Sequence, residues 1–188
     1  TLSGVSNGLI KTASGVVSTA TPGIDYLKDS TGYVRKVINV LDYGVIGDGS
    51  TDNTTALQNA INALTTGSTL YFPASSGYYM TKKVRFHSKT NIIITGASAT
   101  IKLIYVASPS GTENYSTFYI DTCTNVKIRD LNFIGTSGSN VEYDATYFRY
   151  GIFVTRSSYV NISNCDFTSH ASSSVFAINM NGGVFTEG

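Results

Sequence analysis

The chain has 188 residues, of which 41% are hydrophobic, and a formal net charge of +1, as expected for one folded domain. Charged residues make up only 13% and form no Lys/Arg cluster, so the composition does not favour nucleic-acid binding. No apolar run approaches the ~20 residues of a membrane-spanning helix, so we expect no membrane insertion. Residues 1–8 lack the features of a signal peptide, and because the chain starts without Met we expect it to be part of a longer protein.

Residues 1–36 are small and polar, with glycine recurring every few positions. Apolar and polar residues alternate only weakly, most clearly around residues 9–10 and 16–17. Short strands of this kind cannot bury a core alone. We therefore expect an extended connector that depends on partners.

Residues 37–82 change character and contain the one strongly predicted helix. A buried strand at 37–41 is followed by a glycine-rich turn. Asp52 or Thr55 is expected to cap the helix, with Gln58 completing a capping box, and Gly67 is expected to end it. The apolar stripe of the helix consists of Leu57, Ala60, Ile61 and Leu64. A strand at 69–72 follows. Because this is one helix among strands and has one apolar face, we expect it to lie as a lid over an open hydrophobic end.

Residues 83–188 contain an internal repeat. The segment at 90–94 recurs at 124–128 and again at 158–162, a spacing of 34 residues. The same spacing aligns columns of apolar residues, which a β-solenoid needs because each coil buries its face only against its neighbours. The predicted core columns are Val84, Phe118 and Ile152; Phe86, Ile120 and Val154; Ala97, Leu131 and Cys165; and Ala99, Phe133 and Phe167.

A further column predicts a bend between two strands of each coil. Its residue types tolerate a left-handed backbone. The column holds Gly96, Asp130 and Asn164. After Ile152 we expect the spacing to fall to about 24 residues, the length of a bare coil, which places Phe176 beside Ile152.

Residues 40–60, followed by the strand at 70–73, resemble the opening motif of pectate-lyase-like right-handed β-helix proteins. The motif residues are Asp42, Gly44, Gly47, Asp48, Gly49 and Asp52. The resemblance covers residues 37–188 and implies a mainly β protein, a right-handed parallel β-helix with one N-terminal capping α-helix. Polygalacturonases, phage tailspikes and capsule depolymerases share the motif, so it indicates a fold and not a reaction.

Residues 8–11 and 20–27 are similar to a short segment common in phage tail fibres. Joined to the β-helix, this segment favours a tail spike or tail fibre over a secreted pectinase. The resemblance implies a homotrimer in the virion, attached to other tail or baseplate proteins through its N-terminal region, with a bacterial surface glycan as target. We divide the chain into a connector (1–36), the opening strand, helix and first coil (37–82), and the following coils (83–188).

Strand alternation selects the residues that point out of one sheet of the solenoid. An aromatic strip edged by polar and charged side chains is expected there, which suits stacking on sugar rings and bonding to hydroxyls. The candidate residues are Arg85, His87, Tyr119, Asp121, Phe153 and Thr155. The alternative is that Tyr119 and Phe153 contact a neighbouring subunit, since exposed aromatic residues often mark assemblies.

Insertions near 105–115 and 136–147 carry acidic residues, among them Glu113, Glu142 and Asp144. Glycoside hydrolysis needs two carboxyl groups about 5–10 Å apart, but solvated loop acids are far commoner, and we assign no catalytic residue. The sequence thus favours an adhesive tail protein. The alternative is a capsule or lipopolysaccharide depolymerase whose active site lies beyond these residues or between subunits.

Asp48, Ser50 and Asp52 resemble the start of a calcium-binding loop, but Asn53 and Asn59 stand where that loop requires Gly and Glu. The two histidines and two cysteines have no metal-binding spacing. No phosphate-binding or dinucleotide-binding motif occurs. We therefore expect no metal, no cofactor and no disulfide.

Overall fold

The computed structural model describes the backbone of residues 10–13, 16–19, 25–28, 34–104, 116–135, 150–168 and 178–181, and side chains within 36–104, 116–135 and 151–168. One α-helix occurs in this part of the chain, α1 (Thr54–Asn62), and a 3₁₀ turn covers Val40–Tyr43. The strands are β1 (Ile10–Ala13), β2 (Val16–Thr19), β3 (Asp25–Lys28), β4 (Val34–Asn39), β5 (Thr69–Phe72), β6 (Tyr79–Thr81), β7 (Val84–His87), β8 (Thr90–Leu103), β9 (Ser116–Asp121), β10 (Thr124–Ile134), β11 (Tyr150–Thr155), β12 (Ser158–Thr168) and β13 (Ile178–Asn181). No described helix is long and apolar enough to cross a membrane.

From β4 onward, the strands stack in parallel as the coils of a solenoid. Sheet I contains β7, β9, β11 and β13, and sheet II contains β4, β5, β8, β10 and β12. The long strands of sheet II bend midway, so that their second halves form a third face, where β6 pairs with the end of β8. The predicted mainly β, right-handed parallel β-helix with one helix is confirmed.

A single residue with positive φ makes each of these bends. The three residues, with φ of 54°, 58° and 49°, are Ser98, Asp130 and Asn164. The prediction of Gly96 in this column was wrong because β8 carries two extra residues at its bend. Arg129 pairs with Thr95, but Leu131 pairs with Ala99, so the spacing of 34 residues does not hold across the bend.

Gly96 lies instead at a position where a side chain and a backbone carbonyl of the neighbouring coils come close to its Cα. A Cβ there would stand 2.6 Å from Leu131 Cδ2 and 3.1 Å from the carbonyl oxygen of Phe72. The two extra residues also displace two predicted core columns on β8, and Ala97 is exposed. The observed columns are Ala99, Leu131 and Cys165, and Ile101, Phe133 and Phe167.

The two predicted core columns of sheet I are confirmed, and their residues are in register and buried. At the last described step, Ile152 pairs with Ile178 rather than Phe176, so this coil is two residues longer than predicted. The insertions near 105–115 and 136–147 lie outside the described residues, as does most of the connector.

The helix α1 covers the first end of the solenoid, as predicted. Its apolar stripe is buried in the core together with Phe86 and Val84 of β7. The helix ends at Asn62, several residues before Gly67, and the capping box predicted for Thr55 does not form because Thr54 already starts the helix.

Polar contacts outside the helix hold both of its ends. Asp52 Oδ1 accepts a hydrogen bond from the Thr54 backbone N–H at 3.0 Å. At the other end, Lys89 Nζ donates to the carbonyl oxygens of Asn62 and Leu64 at 3.2 and 2.9 Å, which suits the negative end of a helix.

The described strands of the connector pair antiparallel rather than in parallel. β1 and β2 pair with each other, and β3 pairs with β4. Because β4 is the first strand of sheet II, β3 covers the outer edge of that sheet.

Candidate functional site

Side chains on the outer surface of sheet I form two rows across three coils. The parallel register aligns the predicted residues in both rows. The rows are Arg85, Tyr119 and Phe153, and His87, Asp121 and Thr155. The structure thus brings all six predicted residues together, and their contacts divide them into an ion-pair cluster and an aromatic pair.

Asp121 is the centre of the ion-pair cluster, and its side chain has no exposed surface. Arg85 donates to Asp121 Oδ2 through Nε at 3.1 Å and through a shorter bond from Nη2. Arg156 donates to Oδ1 through Nε at 2.9 Å and through Nη2 at 2.7 Å. His87 Nδ1 lies 3.0 Å from Oδ2. Two guanidinium groups and one imidazole therefore enclose a single carboxylate.

The environment of Asp121 keeps it ionised. Burial raises the pKa of the carboxyl, but the hydrogen bonds from Arg85, Arg156 and His87 outweigh burial and hold the pKa well below its usual range. The same ion pair raises the pKa of Arg156. Because Asp121 is both enclosed and ionised, it cannot act as the general acid of a glycosidase, and its role is to organise the cations around it.

The cluster joins three consecutive coils, since Arg85 and His87 lie on β7, Asp121 ends β9 and Arg156 follows β11. Arg156 is not among the residues predicted from the sequence. It occupies a corner with Ser88 and Thr122 in the neighbouring coils, and all three have positive φ, at 48°, 52° and 55°. The 34-residue spacing aligns Arg156 with Thr122, the residue after Asp121. This alignment could have indicated that Arg156 lies close to the Asp121 carboxylate.

The surface of the cluster that meets solvent is basic. The side chains of Arg85, His87 and Arg156 are 45%, 54% and 67% exposed, whereas the carboxylate is not exposed at all. Each guanidinium has more N–H donors than its bonds to Asp121 use. The remaining donors can bind a hydroxyl or a carboxylate oxygen of a ligand.

The aromatic pair is smaller as a binding surface than predicted. The rings of Tyr119 and Phe153 lie 5.7 Å apart, but Phe153 is only 8% exposed and offers little ring to a ligand. Tyr119 is half-buried, and the cationic groups of Arg85 and Lys83 lie 5.5 and 5.6 Å from its ring centroid. Thr155 Oγ1 donates to the Tyr119 hydroxyl at 3.2 Å. One tyrosine among cations therefore replaces the expected strip.

The helix α1 fixes the edge strand of this surface through Gln58. Its Nε2 donates to the Arg85 carbonyl oxygen at 2.9 Å, and its Oε1 accepts from the Arg85 backbone N–H at 2.8 Å. Gln58 thus satisfies the outer edge of β7 rather than completing a capping box. The strand β7 is thus bonded to the helix on one side and paired with β9 on the other.

The two aspartates of the opening loop, Asp48 and Asp52, form hydrogen bonds and an ion pair within the fold. Asp48 Oδ1 accepts from the backbone N–H groups of Ser50 and Thr51 at 2.9 and 2.8 Å, and these bonds hold the pKa of Asp48 well below its usual range. Asp52 forms an ion pair with Lys82 at 3.0 Å. No group of three or more His, Cys, Asp or Glu in the described part of the chain is placed to hold a metal ion.

The glycines of the opening motif shape the loop before α1. Gly44 and Gly49 have φ of 82° and 77°, which favour glycine. A Cβ on Gly47 would stand 2.4 Å from the Ser75 Cβ, so that position requires a close approach. Asp42 is exposed in the 3₁₀ turn. The motif therefore defines how the β-helix begins.

The fold, the capping helix and the opening loop together define a pectate-lyase-like β-helix. The chain belongs to the family described as rhamnogalacturonase A/epimerase, pectate lyase-like, whose model matches residues 37–187.

Individual relatives come from a phage and from a bacterium. The chain is 38% identical over 74 residues to the tail spike protein of Shigella phage Sf6, an alignment that covers 36% of this chain. It is 36% identical over 85 residues to an exo-poly-α-D-galacturonosidase of Dickeya chrysanthemi, covering 45% of this chain. Each alignment spans 12% of the relative, so both relatives are far longer than this chain.

A solved structure shares the fold. ORF18 of Geobacillus virus E2 superimposes with a TM-score of 0.50 at 22% identity, covering 76% of this chain and 31% of that one. The predicted resemblance to phage tailspikes with a pectate-lyase-like β-helix is confirmed by the family match and the tail spike relative.

Proposed function

We propose that this chain is part of a phage tail spike or tail fibre that binds bacterial surface polysaccharide during host recognition. The observation that carries the proposal is the basic surface of sheet I, where Arg85, His87 and Arg156 surround the enclosed Asp121 beside Tyr119. Sugar hydroxyls bind to fixed N–H donors, and the exposed part of the tyrosine ring provides an apolar contact.

The assembly around this surface is part of the same proposal. Residues 1–36 act as the connector that attaches to other tail or baseplate proteins, 37–82 begin the β-helix, and 83–188 are its following coils. The protein acts as a homotrimer in the virion, at the bacterial cell surface. Support comes from the tail spike relative and from the fibre-like segments at 8–11 and 20–27.

A second candidate function is enzymatic, because one relative is an exo-poly-α-D-galacturonosidase. In this alternative the whole protein is a depolymerase that cleaves capsule or lipopolysaccharide. Its carboxyl pair lies in the insertions near 105–115 and 136–147, in further coils, or between subunits. Asp121 is not a member of that pair because it is enclosed by cations.

Binding and cleavage are separated by one experiment on the full protein. It is incubated with purified surface polysaccharide from a panel of host strains, and both retention on immobilised glycan and new reducing or unsaturated ends are measured. Retention without new ends supports the adhesin, and new ends establish the depolymerase. No retention on any glycan contradicts both. Light scattering after size exclusion tests the trimer, which a uniform monomer contradicts.

The surface itself is tested with Tyr119→Ala. We expect the affinity for the retained glycan to fall about tenfold, since a partly desolvated aromatic contact is removed. Tyr78→Ala is the matched control, because Tyr78 is also a partly exposed tyrosine beside a cation, Lys102, but lies away from sheet I. Equal affinities of the two variants contradict the assignment of this surface.

A further inference from the structure

The outer side of sheet II carries an open groove of about 830 Å³ that is separate from the surface of sheet I. Its lining comes from three neighbouring strands, β8, β10 and β12. The lining side chains include the exposed Lys127, Arg129 and Tyr159 and the partly buried Ile93 and Asn161. None of the lining residues in the described part of the chain is acidic. The groove therefore suits an occupant that brings negative charge.

The two cations of the groove occupy alternate positions of the middle strand, β10. Lys127 and Arg129 therefore point out of sheet II on the same side, with their backbone positions about 7 Å apart. Lys127 makes no ion pair within the described part of the chain. Arg129 Nε lies 3.8 Å from Asp130 Oδ2, which is beyond hydrogen-bond distance. Asp130 already accepts hydrogen bonds from Thr95 and Asn164, so the two cations stay poorly balanced.

The sequence contains one pair of carboxylates at the same spacing as these cations. Of its 12 acidic residues, only Glu142 and Asp144 are separated by a single residue. In an extended segment, residues two apart point to the same side and lie about 7 Å apart. Residues 136–148, which include this pair, contain no Lys or Arg. The pair thus matches Lys127 and Arg129 in charge and in spacing.

The length of the chain indicates which copy supplies these carboxylates. The groove lies along the first half of β10, whereas residues 135–149 connect the end of β10 to the start of β11 on sheet I. Asp144 stands six residues before Tyr150, and six extended residues span at most about 20 Å. Within one copy, the segment would have to run back past the bend of β10 and then pass around the solenoid in that length. A neighbouring copy places no such demand on the chain.

We propose that the groove of one copy docks the Glu142–Asp144 segment of a second copy, as a contact that assembles the homotrimer. Lys127 and Arg129 bind the two carboxylates, and the planar guanidinium can hold one of them with two N–H donors. The side chains of Tyr159 and Ile93 flank the segment. Because the groove meets a different surface of the next copy, the contact is heterologous, and three such contacts close a ring. The inference rests on the homotrimer proposed above and names residues that join its copies.

A synthetic peptide of residues 138–148 tests the groove directly. It is titrated calorimetrically into the full chain carrying Glu142→Gln/Asp144→Asn, whose own segment is neutral. We expect binding, and we expect Lys127→Gln/Arg129→Gln in that chain to weaken it at least about tenfold because charge-assisted bonds are lost.

The matched control peptide exchanges Tyr143 and Asp144, which keeps composition and charge but puts the carboxylates on adjacent residues. We expect it to bind at least about tenfold more weakly, since only one carboxylate then faces the groove. Equal binding of the two peptides would show attraction to any acidic peptide and overturn the inference, as would no binding at all.

Light scattering of the full chain after size exclusion tests the contact in the assembly. We expect Lys127→Glu/Arg129→Glu to raise the concentration at which half of the chains dissociate at least about tenfold, because like charges then meet. Adding Glu142→Lys/Asp144→Lys to the same chain should restore association. The control Lys36→Glu/Lys102→Glu reverses the same charge outside the groove and should leave association unchanged.

The outcomes separate this inference from the proposed homotrimer. A trimer that is insensitive to Lys127→Glu/Arg129→Glu overturns the inference and leaves the homotrimer intact. An equal loss in the control, or a loss that the combined variant does not restore, also overturns it. A uniform monomer of the unchanged protein contradicts the homotrimer and this contact with it.

Discussion

The outer surfaces of sheets I and II are built from the same coils but treat charge in opposite ways. On sheet I, a fully enclosed Asp121 balances the cations around it. On sheet II, Lys127 and Arg129 line an open groove, and none of its lining residues in the described part of the chain is acidic. On sheet I, one shared carboxylate ties side chains of three coils together while the outer parts of the two guanidinium groups stay exposed. On sheet II, no carboxylate joins the coils in this way among the described lining residues. Three variants or conditions test this contrast.

The largest effect is expected from removing the buried carboxylate. Asp121→Ala leaves two arginines and a histidine without their shared partner, and we expect the free energy of unfolding to fall by about 3 kcal/mol. Denaturant unfolding followed by circular dichroism measures this change. The matched control Asp166→Ala alters an exposed aspartate on β12 and should stay within about 0.5 kcal/mol of the unchanged protein. A similar small change for Asp121→Ala would show that the cluster does not hold the coils together.

A smaller effect is expected from pH. The pKa of Asp121 is lower in the folded state than the ~3.9 of an unfolded aspartate, so the unfolded state binds the proton more readily. Its stabilising contribution is complete above that unfolded pKa and is lost as the pH falls towards the folded pKa. The unfolding free energies of the unchanged protein and Asp121→Ala should therefore converge below about pH 4. Asp48→Asn, which removes another lowered pKa with the same sign, should leave that convergence in place.

The smallest effect sharpens the other side of the comparison. Tyr159 has a φ of 55°, and the equivalent residues of the two preceding coils are Asn91 and Asn125, at 56° and 53°. Tyr159→Asn places at this corner a residue type that tolerates positive φ, and we expect it to stabilise the fold by about 1 kcal/mol. Thermal unfolding of the variant measures this change. Tyr78→Asn, outside the corner column, should not stabilise the protein. A destabilised Tyr159→Asn would indicate that packing of the tyrosine ring outweighs the cost of its backbone conformation.

Much of the fold could be predicted from the sequence because each coil of a solenoid repeats the same pattern of core residues. The columns through Val84 and Phe86 and the capping stripe of α1 follow from apolar spacing alone. The position of the bend in β8 could not be predicted because the apolar pattern continues on both sides of its two extra residues. Only backbone pairing distinguishes Ala97 from Ala99.

The candidate surface was predictable in position but not in chemistry. Alternation placed Asp121 on the outside of sheet I, yet the enclosure of its carboxylate depends on Arg156, which lies at a corner without a strand pattern. The groove was missed for a related reason. Lys127, Arg129 and Tyr159 each resemble ordinary surface residues, and they line one groove only because β8, β10 and β12 lie side by side.

The antiparallel strand β3 occupies the edge at which the parallel stack of sheet II begins. Parallel strands exposed at the end of a solenoid invite another copy to continue the sheet, and such additions produce filaments. Here β4 is already paired, with an antiparallel partner only four residues long, and α1 covers the apolar interior at the same end. The edge of β4 is therefore already occupied, and another copy cannot add a parallel strand directly to it.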